Sequence, residues 1–246
     1  MKTHYIKPQW SAPNNVKAYA TTRQGGYSQA PFNGFNLALH VDDDPLAVAK
    51  NRQLLQQQLQ LPTEPVWLEQ VHSDTIYTIK TQSPSQPPIA DASVTTVKNQ
   101  VCIIMTADCL PVLFCDRQGT CVATAHAGWR GLLDGILEKT VATMPCDNGE
   151  IIAWLGAGIS AEYFEIGDEV RDLFIADMPT CQSAFVPHST GHWLADLYQL
   201  ARLRLQAIGV TQIEGGNDCT YKQTDLFFSY RRQHPTGRMA SLIYLS

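Results

Sequence analysis

His72 in LEQVHSD, Cys109 in TADCLPVLF and His126 in AHAGWRG are the side chains of this sequence best suited to chemistry. Each falls where an apolar, strand-like run meets a loop, and layered α/β proteins present site residues at such strand ends. Two imidazoles and one thiolate suit zinc, and three protein ligands leave a fourth position for water or substrate. An ion held that way lowers the pKa of its water to about 7. The same donors suit copper. Alternatively, Cys109 can be a nucleophile with His72 or His126 as its base. Spacing decides little, because 36 residues separate His72 from Cys109 and 16 separate Cys109 from His126, which matches no general zinc pattern. Taken alone, the residues fit a core cysteine and two hydrogen-bonded strand-end histidines somewhat better than a metal site. His40, after FNLAL, is placed to line a loop, and His4, His188, His192 and His234 read as non-ligands.

Arginines are the natural readers of anions. Arg23 precedes Gly25-Gly26, where backbone can approach a ligand closely. Arg52 lies on a capped helix. Arg130 falls in the first helical turn after His126, where free amides favour an anion. Arg231 and Arg232 are neighbours, so at least one faces solvent. For each of them a surface or structural ion pair is the plain alternative.

The elements that must position these residues come from patterning. Residues 16–22, 66–72, 75–80, 101–106, 111–116, 120–127, 151–156 and 239–246 read as strands, rich in apolar and β-branched types. Residues 42–61 read as a helix capped by Asp44, with Pro45 in its first position. Residues 128–144, 167–177 and 192–209 read as further helices, the last stopped by Gly209. SPSQPP, residues 83–88, reads as a surface loop. Strands cluster with helices between them rather than alternating strictly, which indicates α/β or α+β with a mixed sheet. No GxGxxG or GxxxxGK[ST] loop is present.

Composition narrows the function. The chain has 246 residues, 44% of them hydrophobic, enough for one large core or two small ones. A net charge of -5 with no basic run argues against a nucleic-acid reader. No stretch approaches the roughly 18 apolar residues of a membrane span, and MKTHYIKPQW lacks the apolar run of a secretory signal, so cytoplasm is the expected compartment. Seven cysteines, an odd number without a CxxC pair, argue against a disulfide framework or zinc knuckle. Cys102, Cys115 and Cys121 read as small buried hydrophobes. With no exposed apolar stripe, a monomer is expected.

Across almost its whole length the sequence resembles the YfiH family, bacterial proteins also called polyphenol oxidoreductase or laccase-like domain proteins and described as purine nucleoside phosphorylases. The resemblance rests on TTRQGGYSQAPFNGFNLALHVDDDP with NR after it, LEQVHSD, ADASVT, TADCLPVLF, AHAGWRG, LGAGIS with FEIGDEV, and FFSYRR with GR. No single block is specific, but the ordered set is. It implies one domain over residues 1–246, with mixed sheets stacked in an α/β/β/α-like sandwich. It also implies that the zinc ligands fall on His72, Cys109 and His126.

The implied activity is zinc-dependent phosphorolysis of adenosine, inosine, guanosine or methylthioadenosine, with adenosine deamination beside it. The implied partners are purine nucleosides and phosphate. Arg23, Asn36, Arg52 and Arg130 are the candidates for substrate or phosphate binding. Tyr27, Phe32 and Phe35 are candidates for stacking on the base. Asp74, Asp91 and Asp108 are candidates for acid/base work or for orienting a histidine. The HxE plus PCxxC signature of common zinc deaminases is absent. Two alternatives stay open: a copper-dependent polyphenol oxidase, and a hydrolase editing peptidoglycan precursors. An ordinary multicopper oxidase needs repeated HxH pairs, and none of the seven histidines forms one.

Overall fold

The computed structural model describes residues 4–81 and 84–246. Four layers stack around two β-sheets. An antiparallel sheet runs in the order β1 (Tyr5–Ile6), β2 (Val16–Thr21), β13 (Met239–Leu245), β5 (Cys102–Thr106). A mixed sheet runs β12 (Gln212–Gly215), β8 (Ile151–Leu155), β6 (Leu110–Asp116), β7 (Val122–Ala127), β4 (Ala92–Thr95), β3 (Ile76–Thr78). Only its outer pairs, β12 with β8 and β3 with β4, are parallel. A small antiparallel sheet of β10 (Phe185–Ser189), β11 (His192–Ala195) and β9 (Glu165–Gly167) completes the set.

The period-two geometry of strands decides the layering. In β5, Cys102 and Ile104 join the core between the two large sheets, while Ile103 and Met105 point to the opposite side. That opposite side packs on Leu55 of α1 (Pro45–Leu59) and on Phe35 and Leu37 of the loop before it. In β6, Leu113 and Cys115 enter the inter-sheet core, while Leu110, Val112 and Phe114 meet the helices. Those helices are α2 (Trp129–Leu133), α3 (Ile136–Thr143), α4 (Asp168–Asp177) and α5 (Leu197–Ala207). The result is the expected α/β/β/α sandwich, in which the strands β5, β13, β6, β7 and β8 are buried on both faces. Strands buried on both faces carry continuous apolar runs, which is why they were legible. Cys102, Cys115 and Cys121 are fully buried, and burial pushes each thiol up to about 12.

Several elements differ from the sequence reading. Residues 66–72 make single bridges at Val66 and Glu69 instead of a strand. The helix expected over 128–144 is broken at Gly135, whose φ of 84° no helix interior adopts. The helix expected over 192–209 begins only at Leu197. There Asp196 accepts from the amide of Gln199, and residues 192–195 form β11 instead. α1 starts as expected, with Asp44 accepting from the Leu46 amide, and ends on left-handed Gln60. Ser83 of the SPSQPP loop lies outside the described residues. Among the described residues no helix is long and apolar enough to cross a membrane.

Candidate metal centre and its cavity

Strand register builds the site. Antiparallel pairing sets Pro111 opposite His126 and Leu110 opposite Ala127, so Cys109 and Gly128 meet just beyond the ladder. A Cβ at Gly128 would stand 3.0 Å from Cys109 Sγ and 3.3 Å from His72 Cδ2. Only glycine leaves that room. On the other side of β7, Ala92 pairs with Ala125, which puts Asp91 beside His126.

His72 arrives from the irregular segment with φ of 60°, an uncommon conformation for a residue with a Cβ. Asp91 holds it there. Its fully buried carboxylate accepts from the amides of Val71, His72 and Ser73 and from the Ser73 hydroxyl. The same carboxylate lies 2.8 Å from His126 Nδ1. One side chain therefore sets the backbone under one histidine and the ring of the other.

The ligand atoms of His72, Cys109 and His126 all lie within 4.8 Å of one another. Cys109 Sγ is 3.9 Å from His72 Nε2, and the imidazole rings meet edge to face at 4.8 Å. With Nδ1 of His126 committed to Asp91, Nε2 is the nitrogen left to meet Cys109 or an ion. This donor set, converging beside a glycine that keeps the space open, fits a zinc or copper ion. It is the one group of this kind among the described residues.

The electrostatics agree with a thiolate ligand. Burial pushes the Cys109 thiol up, but His126 and His72 overcome it and bring the thiol down to about 6. Burial lowers His126, yet Cys109 and Asp91 raise it to about 9. Burial raises Asp91, and its bonds to His126 and Ser73 outweigh that, leaving it below the ordinary carboxylate value.

The three residues form the floor of a cavity of about 510 Å³, within the range of about 300–1,000 Å³ typical of small-molecule sites. Arg130, Arg231, Arg238 and His40 bring positive or polar groups to its wall, and Trp129, Phe164 and Tyr230 bring aromatic surface. Arg130 lies over the Trp129 ring at 4.2 Å and pairs with no carboxylate among the described residues. Arg231 is tied in place twice, through its amide to Asp108 and through its guanidinium to the Glu165 carbonyl. Asp108, with φ of 91°, also accepts from Thr220 Oγ1 at 2.6 Å, which locks the turn that presents Cys109.

Other residues singled out in the sequence lie elsewhere. Arg23 packs on Phe228 and bonds the Thr224 and Asn33 carbonyls. Arg52 stacks on Trp67 at 3.7 Å and bonds the Leu37 carbonyl, and burial lowers its pKa to about 10. Asn36 is fully buried within the loop before α1. None of the three lines the cavity, whereas Arg130 does. Phe32 and Phe35 are core, and Tyr27 lies outside the cavity, so the aromatic wall comes from other residues. Asp74 pairs with Lys139 at the surface. Arg238 and Phe164 lie in the blocks GR and FEIGDEV that carry the resemblance, but nothing local in either block points at the cavity, so neither stands out as a site residue.

Comparison with known proteins is consistent along the whole chain. The family model described as multi-copper polyphenol oxidoreductase laccase matches residues 17–246. A protein of Pseudomonas aeruginosa named purine nucleoside phosphorylase is 51% identical, with 98% of each chain covered. The purine nucleoside phosphorylase YfiH of Escherichia coli is 50% identical, again with 98% of each chain covered. A crystal structure of a Neisseria meningitidis protein superposes with a TM-score of 0.95 at 49% identity, covering 98% of this chain and 99% of that one. A Bacillus licheniformis YfiH structure superposes with a TM-score of 0.89 at 31% identity, covering 95% and 94%. On these matches the chain belongs to the YfiH family, whose model carries the multi-copper polyphenol oxidoreductase laccase description.

Proposed function

We propose that the protein is a zinc-dependent purine nucleoside phosphorylase, active on adenosine, inosine, guanosine or methylthioadenosine. The observation that carries this reading is one cavity of nucleoside-sized volume that joins a His-Cys-His floor to an arginine-bearing wall. The names of the relatives point the same way.

Phosphorolysis needs an anion held beside the ribose C1′ and a surface for the base. Arg130, without a carboxylate partner among the described residues, supplies charge for the phosphate. Trp129, Phe164 and Tyr230 supply apolar surface for a purine. Asp91 orients His126 and His72, and Asp108 fixes the Cys109 turn and the Arg231 backbone. His72, Cys109 and His126 would hold a zinc ion, which when bound would supply Lewis-acid stabilisation of negative charge in the cavity. Adenosine deamination belongs to the same reading as a second reaction of the same cavity.

The copper alternative is narrower than the family description implies, because one three-ligand group stands among the described residues rather than a multi-copper array. A nucleophilic role for Cys109 has one observation in its favour: its thiol is depressed to about 6 beside two imidazoles.

The test is zinc-loaded protein incubated with adenosine, with and without phosphate, and its products resolved by chromatography. Adenine that appears only with phosphate supports phosphorolysis. Inosine formed without phosphate moves deamination to the front. If neither forms, the nucleoside reading falls and the Cys109 hydrolase replaces it.

A further inference from the structure

The loop from residue 34 to residue 44 holds more buried polar bonding than a connection needs. Asn36, with none of its surface exposed, bonds the Ala38 carbonyl and Asp43 Oδ2 through Nδ2 and accepts from the Ala38 amide through Oδ1. Asn51, equally buried on α1, bonds the Asn36 carbonyl at 2.7 Å and the Ser28 hydroxyl at 3.0 Å. Asp43 accepts from Ser28 at 2.6 Å, and Arg52 donates to the Leu37 carbonyl at 2.9 Å. A buried amide left unpaired is costly, so this lattice fixes one loop conformation. Asn36, Asn51 and Arg52 reach no ligand space themselves.

His40 lies in the same loop, four residues after Asn36. The imidazole lines the cavity together with His72, Cys109 and His126, yet it is not one of the converging donors. No hydrogen bond to its ring exists among the described residues. Asn36 Oδ1 also accepts from the Arg238 amide, and the Leu37 amide donates to the Arg238 carbonyl. The same loop therefore carries His40 and anchors the Arg238 backbone, and both side chains line the cavity with His72, Cys109 and His126.

We propose that His40 is a catalytic residue that passes a proton to the departing purine. This rests on the phosphorolysis reading. Hydrogen phosphate attacks C1′, the C1′–N9 bond breaks, and its electron pair goes to the purine ring. One ring nitrogen of His40 gives its proton to the purine, and the other takes the proton that hydrogen phosphate releases. The products are the neutral base and ribose 1-phosphate, and the imidazole ends neutral. His40 is exposed by its accessible surface, yet partial desolvation at the cavity, then Arg238, Arg52, His126 and His72, hold it below the ordinary histidine pKa.

Leaving-group dependence tests this. The base of inosine needs a proton to depart neutral, whereas that of 7-methylguanosine already carries a positive charge and does not. Steady-state phosphorolysis is measured on both nucleosides for the zinc-loaded wild type, His40→Ala and His40→Gln, with zinc content and melting temperature determined alongside. We expect both variants to lose about a hundredfold or more in kcat on inosine and less than about tenfold on 7-methylguanosine. Zinc stoichiometry should equal that of the wild type. Equal losses on the two nucleosides, or no loss on inosine, would overturn the proposal. Lost zinc would also overturn it, since His40 would then belong to the metal shell. Wild-type protein that releases no base from either nucleoside in phosphate removes the parent reading, and the proton-transfer role with it.

Discussion

His126 Nδ1 lies 2.8 Å from a carboxylate oxygen of Asp91, and both side chains are buried. The contact fixes which imidazole nitrogen faces the cavity. Through the amides of residues 71–73 the same carboxylate also holds His72 in a left-handed conformation. Two of the three candidate ligands thus depend on one aspartate that does not itself converge on the ion.

Asp91→Asn should weaken zinc binding by about 10- to 100-fold, measured by competition with a chromogenic chelator. Asp91→Ala should also destabilise the metal-free protein by about 3 kcal/mol or more in urea unfolding, since buried donors lose their acceptor. Because the folded pKa of Asp91 lies below its ordinary value, its contribution is present above the ordinary carboxylate pKa and fades as pH falls through the folded one. The wild-type stability advantage over Asp91→Asn should shrink on acidification. An unchanged zinc affinity would contradict the positioning role.

Cys109 offers a direct test of metal against nucleophile. In metal-free protein its alkylation by iodoacetamide should follow a thiolate midpoint near pH 6, falling as the pH drops below it. Stoichiometric zinc should suppress that alkylation at least tenfold. A midpoint near the ordinary thiol value would refute the electrostatic account. Full reactivity with zinc bound would favour the nucleophile instead.

Anion binding should separate the arginines. Arg130→Ala should raise the KM for phosphate by about 10- to 100-fold, the worth of a charge-assisted hydrogen bond. Arg23→Ala, remote from the cavity, should change that KM less than twofold. The reverse order would move the phosphate site toward Arg23.

The cores of the two large sheets were legible because residues such as Ile103, Ile104, Val112 and Phe114 lie in strands buried on both faces. Elements that break the pattern were not. Residues 192–195 look helical beside Leu197 and Leu200, yet β9 and β10 claim them as a strand between two neighbours. Gly135 sits inside an unbroken amphipathic pattern, and only its positive φ splits α2 from α3. Asn36 and Arg52 drew attention as polar residues in marked blocks, and their partners proved to be the loop itself.

By itself the sequence determined the layered α/β class, the family, and which residue types can bind a metal, because these follow from local periodicity and ordered motifs. Tertiary structure decided that His72, Cys109 and His126 stand within 4.8 Å of one another. It also decided that Asp91 links two of them, and that Arg130, Arg238 and His40 share their cavity while Arg23 and Arg52 do not. The physical reason is register. Antiparallel pairing of β6 with β7 and of β7 with β4 brings residues 17 and 35 positions apart side by side, a distance that no local pattern encodes.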